Sequence, residues 1–213
     1  MSLAAQNNKT VIVKAGTKVQ DYYSFNERYL YPEFIPGVAM FKNGRSNNID
    51  FNYNILYGEI EFVQAADTVA FAKKKDIRYI AAQDTFFYNN GYIELLSAGK
   101  LRVGLKQYIK IKDVLKTGAF GTTARSVSVE SYSSVSTKGI TYDLVPNEDI
   151  ELEKRLEYYL MPPAGEYILF TKKNVIQLFP QDEDKIKAYI KSNKVDFESR
   201  DSLLKFAEYL NNL

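Results

Sequence analysis

From Ile49 to Phe62, and again from Leu101 to Lys112, the chain alternates apolar and polar residues with almost no break. Period two fits a strand, whose successive side chains point to opposite faces, and it fits no helix. In the first stretch Ile49, Phe51, Tyr53 and Ile55 share one face, with Asp50, Asn52 and Asn54 opposite. Leu56-Tyr57-Gly58 reverses the chain, after which Ile60 and Phe62 face inward and Glu59 and Glu61 outward. An antiparallel hairpin of this kind sets one apolar face on a core and one face in water. The pattern therefore predicts that these five polar residues form hydrated pleats and carry no chemistry.

Shorter runs repeat the theme about every ten residues, the spacing of a meander, sandwich or barrel. Strands are expected at 11–13, 38–41, 68–71, 77–81, 85–88, 92–96, 140–145, 150–160 and 167–170, with an edge strand or loop around Val127 and Val129. Asn43-Gly44 and Asn89-Asn90-Gly91 are turn signals. Pro36-Gly37 suits the centre of a type II turn. In 101–112, Leu101, Val103, Leu105, Ile109 and Ile111 share a face that only Gln107 interrupts, and Gly104 permits a bend. The 17 Tyr and 13 Phe fit this β-rich reading.

After Phe170 the period changes. Val175, Leu178 and Phe179 take helical spacing, which Pro180 ends. Ile186, Tyr189 and Ile190 make a second stripe, begun by Asp182-Glu183-Asp184 where the helix dipole favours acids. Leu203, Phe206, Ala207 and Leu210 make a third, capped by Asp196 or Ser199. The expected fold is α+β: a mainly antiparallel, curved sheet (a meander or half-open barrel) over 10–171, then a small helical segment over 172–213 packed on it.

The 213 residues contain no Cys and no His. That removes thiolate and imidazole metal sites, Cys nucleophiles and Ser-His-Asp triads. No window reaches the roughly 20 apolar residues of a membrane helix. The net charge of +2 does not point to nucleic acid. Charge is nevertheless uneven. Lys100–Lys116 holds six bases against Asp113, and Asn147–Glu157 holds five acids against two bases. The two segments have the charge to neutralise each other as neighbours; the simpler reading is two solvated strand faces.

Motifs for chemistry are sparse. Glu59 and Glu61 stand roughly 7 Å apart on one strand face, a separation a glycosidase pair can use, yet any wet strand offers it. Asp50, Asn52 and Asn54 lack the Gly and distal Glu of a calcium loop. Gly118-Ala119-Phe120-Gly121 matches neither a P-loop nor a dinucleotide fingerprint. Nine of the sixteen residues from Thr122 to Thr137 are Ser or Thr, which leaves a Ser-Lys pair with Lys116 or Lys138 formally open. No cofactor or metal is expected. The least ordinary surface is the basic strand face, and Arg102, Lys106, Tyr108 and Lys110 are the candidate binding residues. Cations beside an aromatic can take a single strand of nucleic acid; an exposed or edge strand whose lysines deter self-pairing accounts for them more simply at this net charge.

The segments 38-VAMFKNG-44, 51-FNYNILYGEIEF-62, Phe86-Phe87-Tyr88, 178-LFP-180, 188-AYIKSNKVDF-197 and 208-EYL-210 resemble uncharacterised exported proteins of Bacteroidetes-type bacteria. The resemblance covers most of residues 30–210 and implies an extracytoplasmic, periplasmic or outer-membrane-associated β-rich protein. It carries no catalytic residues. Ala4-Ala5 before a polar stretch fits what remains near a leader cut, with Met1–Leu3 as an expression remnant, and a plain cytoplasmic N-terminus fits these residues nearly as well. Three functions follow: a non-catalytic binding or structural protein of the cell envelope, with an envelope protein or small ligand as partner; a carrier of an apolar molecule in a half-open barrel; or a hydrolase using carboxylates or a Ser-Lys pair.

Overall fold

The structure is a computed structural model, and it describes residues 10–117, 123–126, 143–163 and 166–213. In chain order come β1 (Thr10–Val13), α1 (Val19–Tyr22), α2 (Phe25–Arg28), β2 (Ile35–Phe41), β3 (Ser46–Asn54), β4 (Glu59–Gln64) and β5 (Asp67–Ala70). Then follow β6 (Ile77–Ala81), β7 (Thr85–Tyr88), β8 (Tyr92–Leu95), β9 (Arg102–Thr117), β10 (Thr123–Ser126), β11 (Asp149–Met161) and β12 (Ile168–Leu169). Three helices close the chain: α3 (Lys172–Leu178), α4 (Glu183–Ser192) and α5 (Arg200–Asn211). The strands make one twelve-stranded sheet in the order β1-β11-β9-β8-β7-β6-β2-β3-β4-β5, with β10 beside β9 and β12 beside β11. The α+β, antiparallel expectation holds.

Turn chemistry explains much of this meander. Gly44, Gly58 and Asn90-Gly91 all sit at positive φ, where the sequence places turn residues. Pro36 departs from expectation: it lies inside β2, opposite Asp50 of β3. A proline is tolerated there because the pairing of β2 with β6 begins only at Val38, so no ladder partner awaits its missing N–H. Residues 143–145, read as part of a strand, are a turn and irregular chain. Val127, Val129 and residues 140–142 lie outside the described residues.

The sheet curls. β8 is short and reaches β9 only at Gly104 and Leu105, which leaves the next part of β9 free on that side. The end of β3 returns to it: the Ile109 amide donates to the Ile55 carbonyl at 3.1 Å. The Tyr53 hydroxyl donates to the Gln107 carbonyl. These contacts draw the sheet into a half-open barrel without closing it.

Two apolar cores result. The barrel core is built from Ala39, Phe51, Tyr53, Ile80, Phe86, Tyr92, Ile109 and Leu152, among others, with Tyr53 stacked on Phe86. The second core lies between the same inner sheet face and the helices: Leu101, Val103, Leu105, Tyr158 and Leu160 meet Val175, Ile186, Leu203, Phe206 and Leu210. The three α5 side chains in this list are almost fully buried, which is worth up to about 2 kcal/mol each. Ser199 caps α5 by accepting from the Ser202 amide.

Candidate functional site

The hairpin pleats expected to be hydrated are, for the most part, buried. Asp50 is exposed, but Asn52 and Asn54 are sealed and Glu61 retains 4% exposure. The cause is residues 28–33, a stretch that strand alternation does not mark as a cover. Tyr29 bridges to Asn54, and the Leu30 amide donates to the Tyr53 carbonyl, so this segment lies beside β3. Each buried group then finds a partner, as burial requires. Asn52 accepts from the Tyr31 amide at 3.0 Å and donates to the Tyr31 and Glu33 carbonyls at 2.8 and 2.9 Å. Glu61 accepts from the Tyr29 hydroxyl at 2.6 Å and from the Asn54 amide at 3.1 Å. Asn54 also accepts from the Leu56 amide. These residues hold the cover in place. Glu59, half-buried, pairs with Lys74, and its carboxyl is pushed up by burial despite that lysine.

The basic strand face is a real face. β9 and β11 pair in register along most of their length, so Lys110 lies opposite Glu153, Tyr108 opposite Arg155 and Lys106 opposite Glu157. The basic and acidic segments are thus neighbours and largely neutralise each other, in place of two separate solvated faces. Lys112 pairs with Glu151 at 3.1 Å, and Arg155 with Glu153 at 3.1 Å. The Tyr108 and Tyr159 hydroxyls both donate to Glu157. Two of the four candidate residues sit over rings: Arg102 over Phe87 and Lys106 over Tyr108, each 5.2 Å from the centroid. Lys106 also donates to the Asn90 carbonyl. Phe87 in turn meets Tyr79 and Tyr167 edge-on or tilted. The helices pack on the opposite, inner face.

A third set of residues was not singled out from the sequence. Register puts Glu94 of β8 opposite Leu105, Gln107 of β9 opposite Leu156, and Lys154 of β11 opposite Ile109. All three point to the inner face, and successive members are diagonal neighbours, about 7–8 Å apart between Cα atoms. They form a polar diagonal between the two apolar cores. Glu94 and Gln107 are 8% and 6% exposed. No hydrogen bond or ion pair joins any of these three side chains to a described residue, and the little surface that Glu94 and Gln107 keep leaves their polar atoms in reach of water. Burial, and then the nearby Asp84 carboxylate, push the Glu94 carboxyl up to about 7 against the pull of Arg200 and Lys154. Burial lowers the Lys154 ammonium, with Glu94 opposing. Asp84 itself accepts from the Tyr31 hydroxyl at 2.7 Å. The signal was available: Glu94 interrupts Tyr92 and Leu96, and Lys154 interrupts Leu152 and Leu156, as Gln107 does on β9.

An open groove of about 630 Å³ lies between the 96–100 turn and α5, lined by Leu96, Lys100, Leu204, Glu208 and Asn211. Asn211 is committed to the backbone of Leu101, both accepting and donating at 2.8 Å. Among the described residues no group of three or more acidic side chains is placed to hold a metal ion, and no helix is long and apolar enough to cross a membrane. Lys138 and most of the Ser/Thr-rich segment lie outside the described residues. No protein-family model, curated protein or solved structure matches the chain.

Proposed function

We propose that the protein is a non-catalytic binding or structural protein of the bacterial cell envelope, and that it meets its partner through the outer face around Arg102, Lys106, Tyr108 and Lys110. The observation that carries this reading is the pair of cation-over-ring contacts on one strand of a face that the helices leave uncovered. Such rings and cations are held in place before any partner arrives, and preorganised Tyr and Arg side chains are frequent anchors of interfaces. The envelope assignment is supported by the resemblance of residues 30–210 described above.

Fractionation of bacterial cells making the full-length product tests it. The protein is expected in the envelope fraction, and Arg102→Glu with Lys106→Glu is expected to release at least about tenfold more of it into the soluble fraction, since each lost interfacial cation costs on the order of 1 kcal/mol or more. The thermal midpoint should stay within a few degrees of the parent. Unchanged partitioning of the folded double variant overturns the reading.

A carboxylate-dependent hydrolase is the second reading with an observation behind it. That observation is the buried Glu94, whose carboxyl burial and then the Asp84 charge push up to about 7, and it replaces Glu59 and Glu61 as the acid to test. An apolar-ligand carrier would need room inside the barrel, whose described interior is filled by Phe51, Tyr53, Phe86 and Tyr92.

A further inference from the structure

We propose that Glu94 is a proton-controlled latch between the barrel and the helical layer: neutral, it lets the seam close; ionised, it loosens the helices. The argument starts from position. The polar diagonal Glu94, Gln107 and Lys154 runs along the boundary where the barrel core ends and the helix-facing core begins. Leu105, directly opposite Glu94, belongs to the second core, and Phe86, on its other side, belongs to the first. A neutral carboxyl is tolerated in such a seam. A carboxylate is disfavoured there, because at 8% exposure it keeps only a small part of its hydration and no ion pair or hydrogen bond replaces the rest.

The charges around Glu94 come from three elements. Asp84, in the β6–β7 turn, opposes ionisation; Lys154 on β11 and Arg200 at the start of α5 favour it. The phenols of Tyr31, Tyr53 and Tyr158 also feel Glu94, but burial holds all three above their ordinary range, so they stay neutral. Neither cation lies within ion-pair distance of Glu94, so an ionised Glu94 must recruit water or draw Arg200 inward. The barrel side of the seam is knit by backbone ladders from β7 through β8 to β9. The helical side is held by side chains alone, chiefly Leu203, Phe206 and Leu210 of α5. The seam therefore opens on the side of the helices.

The sign follows from linkage. Glu94 titrates higher in the folded protein than in an unfolded chain, so its neutral form is the one folding favours. Its contribution is fully present below the ordinary carboxylate range and is lost as pH rises through about 7.

Amide hydrogen exchange of α5 tests the latch, with rates converted to protection factors so that the intrinsic pH dependence is removed. Between about pH 6 and pH 8.5 the protection of residues 206–210 is expected to fall about tenfold or more, with a midpoint near the carboxyl titration of Glu94 followed by carbon NMR. Glu94→Gln should keep high protection at both pH values. Asp84→Asn should move the parent midpoint down and Arg200→Gln should move it up. Flat protection in the parent, the same fall in Glu94→Gln, or a midpoint apart from the carboxyl titration overturns the proposal. The NMR comparison needs no variant, so a variant that fails to fold leaves the test intact.

Discussion

Asn52→Ala is expected to lower the unfolding free energy by about 3–4 kcal/mol, because it orphans several buried backbone groups at once. The amide of Tyr31 loses its acceptor, and the carbonyls of Tyr31 and Glu33 lose their donor. Asn52→Leu restores the volume but none of the bonds, so it should cost nearly as much. Asn52→Asp keeps the acceptor but turns a negative oxygen towards two carbonyls, and should be no better. Urea unfolding followed by far-UV circular dichroism measures all three, since there is no tryptophan to report. A loss below about 1 kcal/mol for Asn52→Ala would mean that water takes over the clamp, and that residues 28–34 are held by something else.

Gly37→Ala should cost about 2–3 kcal/mol for a different reason, overpacking. A Cβ at Gly37 would stand 2.5 Å from Cε1 of Phe51 and 2.9 Å from the Ala81 carbonyl oxygen. The ring can swing only into Tyr31 and Phe86, which meet it edge-on, and the carbonyl belongs to the neighbouring strand β6. Phe51→Leu opens space and carries its own cost of packing. The double variant is expected to be less damaging than the sum of the two single changes by about 1 kcal/mol, the coupling seen between residues in contact. Strict additivity would show that the Ala81 backbone, and not the Phe51 ring, is the obstacle.

Both predictions fall on positions whose role depends on distant chain. The strands themselves were legible: β6 and β7 begin and end where their alternation does, and the Asn-Gly turns lie between strands as written. The change of period at Phe170 marked the helical layer because Val175, Ile186 and Leu203 begin stripes that one sheet face can bury. What alternation does not reveal is whether the second face of a strand meets water. Asn52, Asn54 and Glu61 follow the same pattern as a solvated hairpin, and what covers them, from the Tyr29–Asn54 bridge to the Asn52 bonds with Tyr31 and Glu33, is set by residues far back in the chain. Asn suits either setting, since its amide is as well satisfied by backbone as by water.

The candidate site was legible in part for the same reason. That Lys100–Lys116 and Asn147–Glu157 complement each other could be counted. That they are adjacent strands in matching register is a property of the sheet order β11-β9-β8. Glu94, Gln107 and Lys154 were each visible as a break in an apolar stripe. Their alignment into one diagonal needs that strand order as well, and no single strand contains it.

The pairing of Thr10 with Glu153 has a consequence for how the protein is made. On a chain leaving the ribosome β1 precedes the other described strands, but it has no docking edge until β11 has been synthesised. The strands from β2 to β8 can collapse meanwhile, since they pair among themselves, β2 with both β3 and β6. β1 is thus among the last of these strands to settle, and its wait spans the synthesis of β2 to β11. Through that interval the unpaired edge of β1, with its exposed Ile12, is open to capture by a chaperone or by another nascent chain.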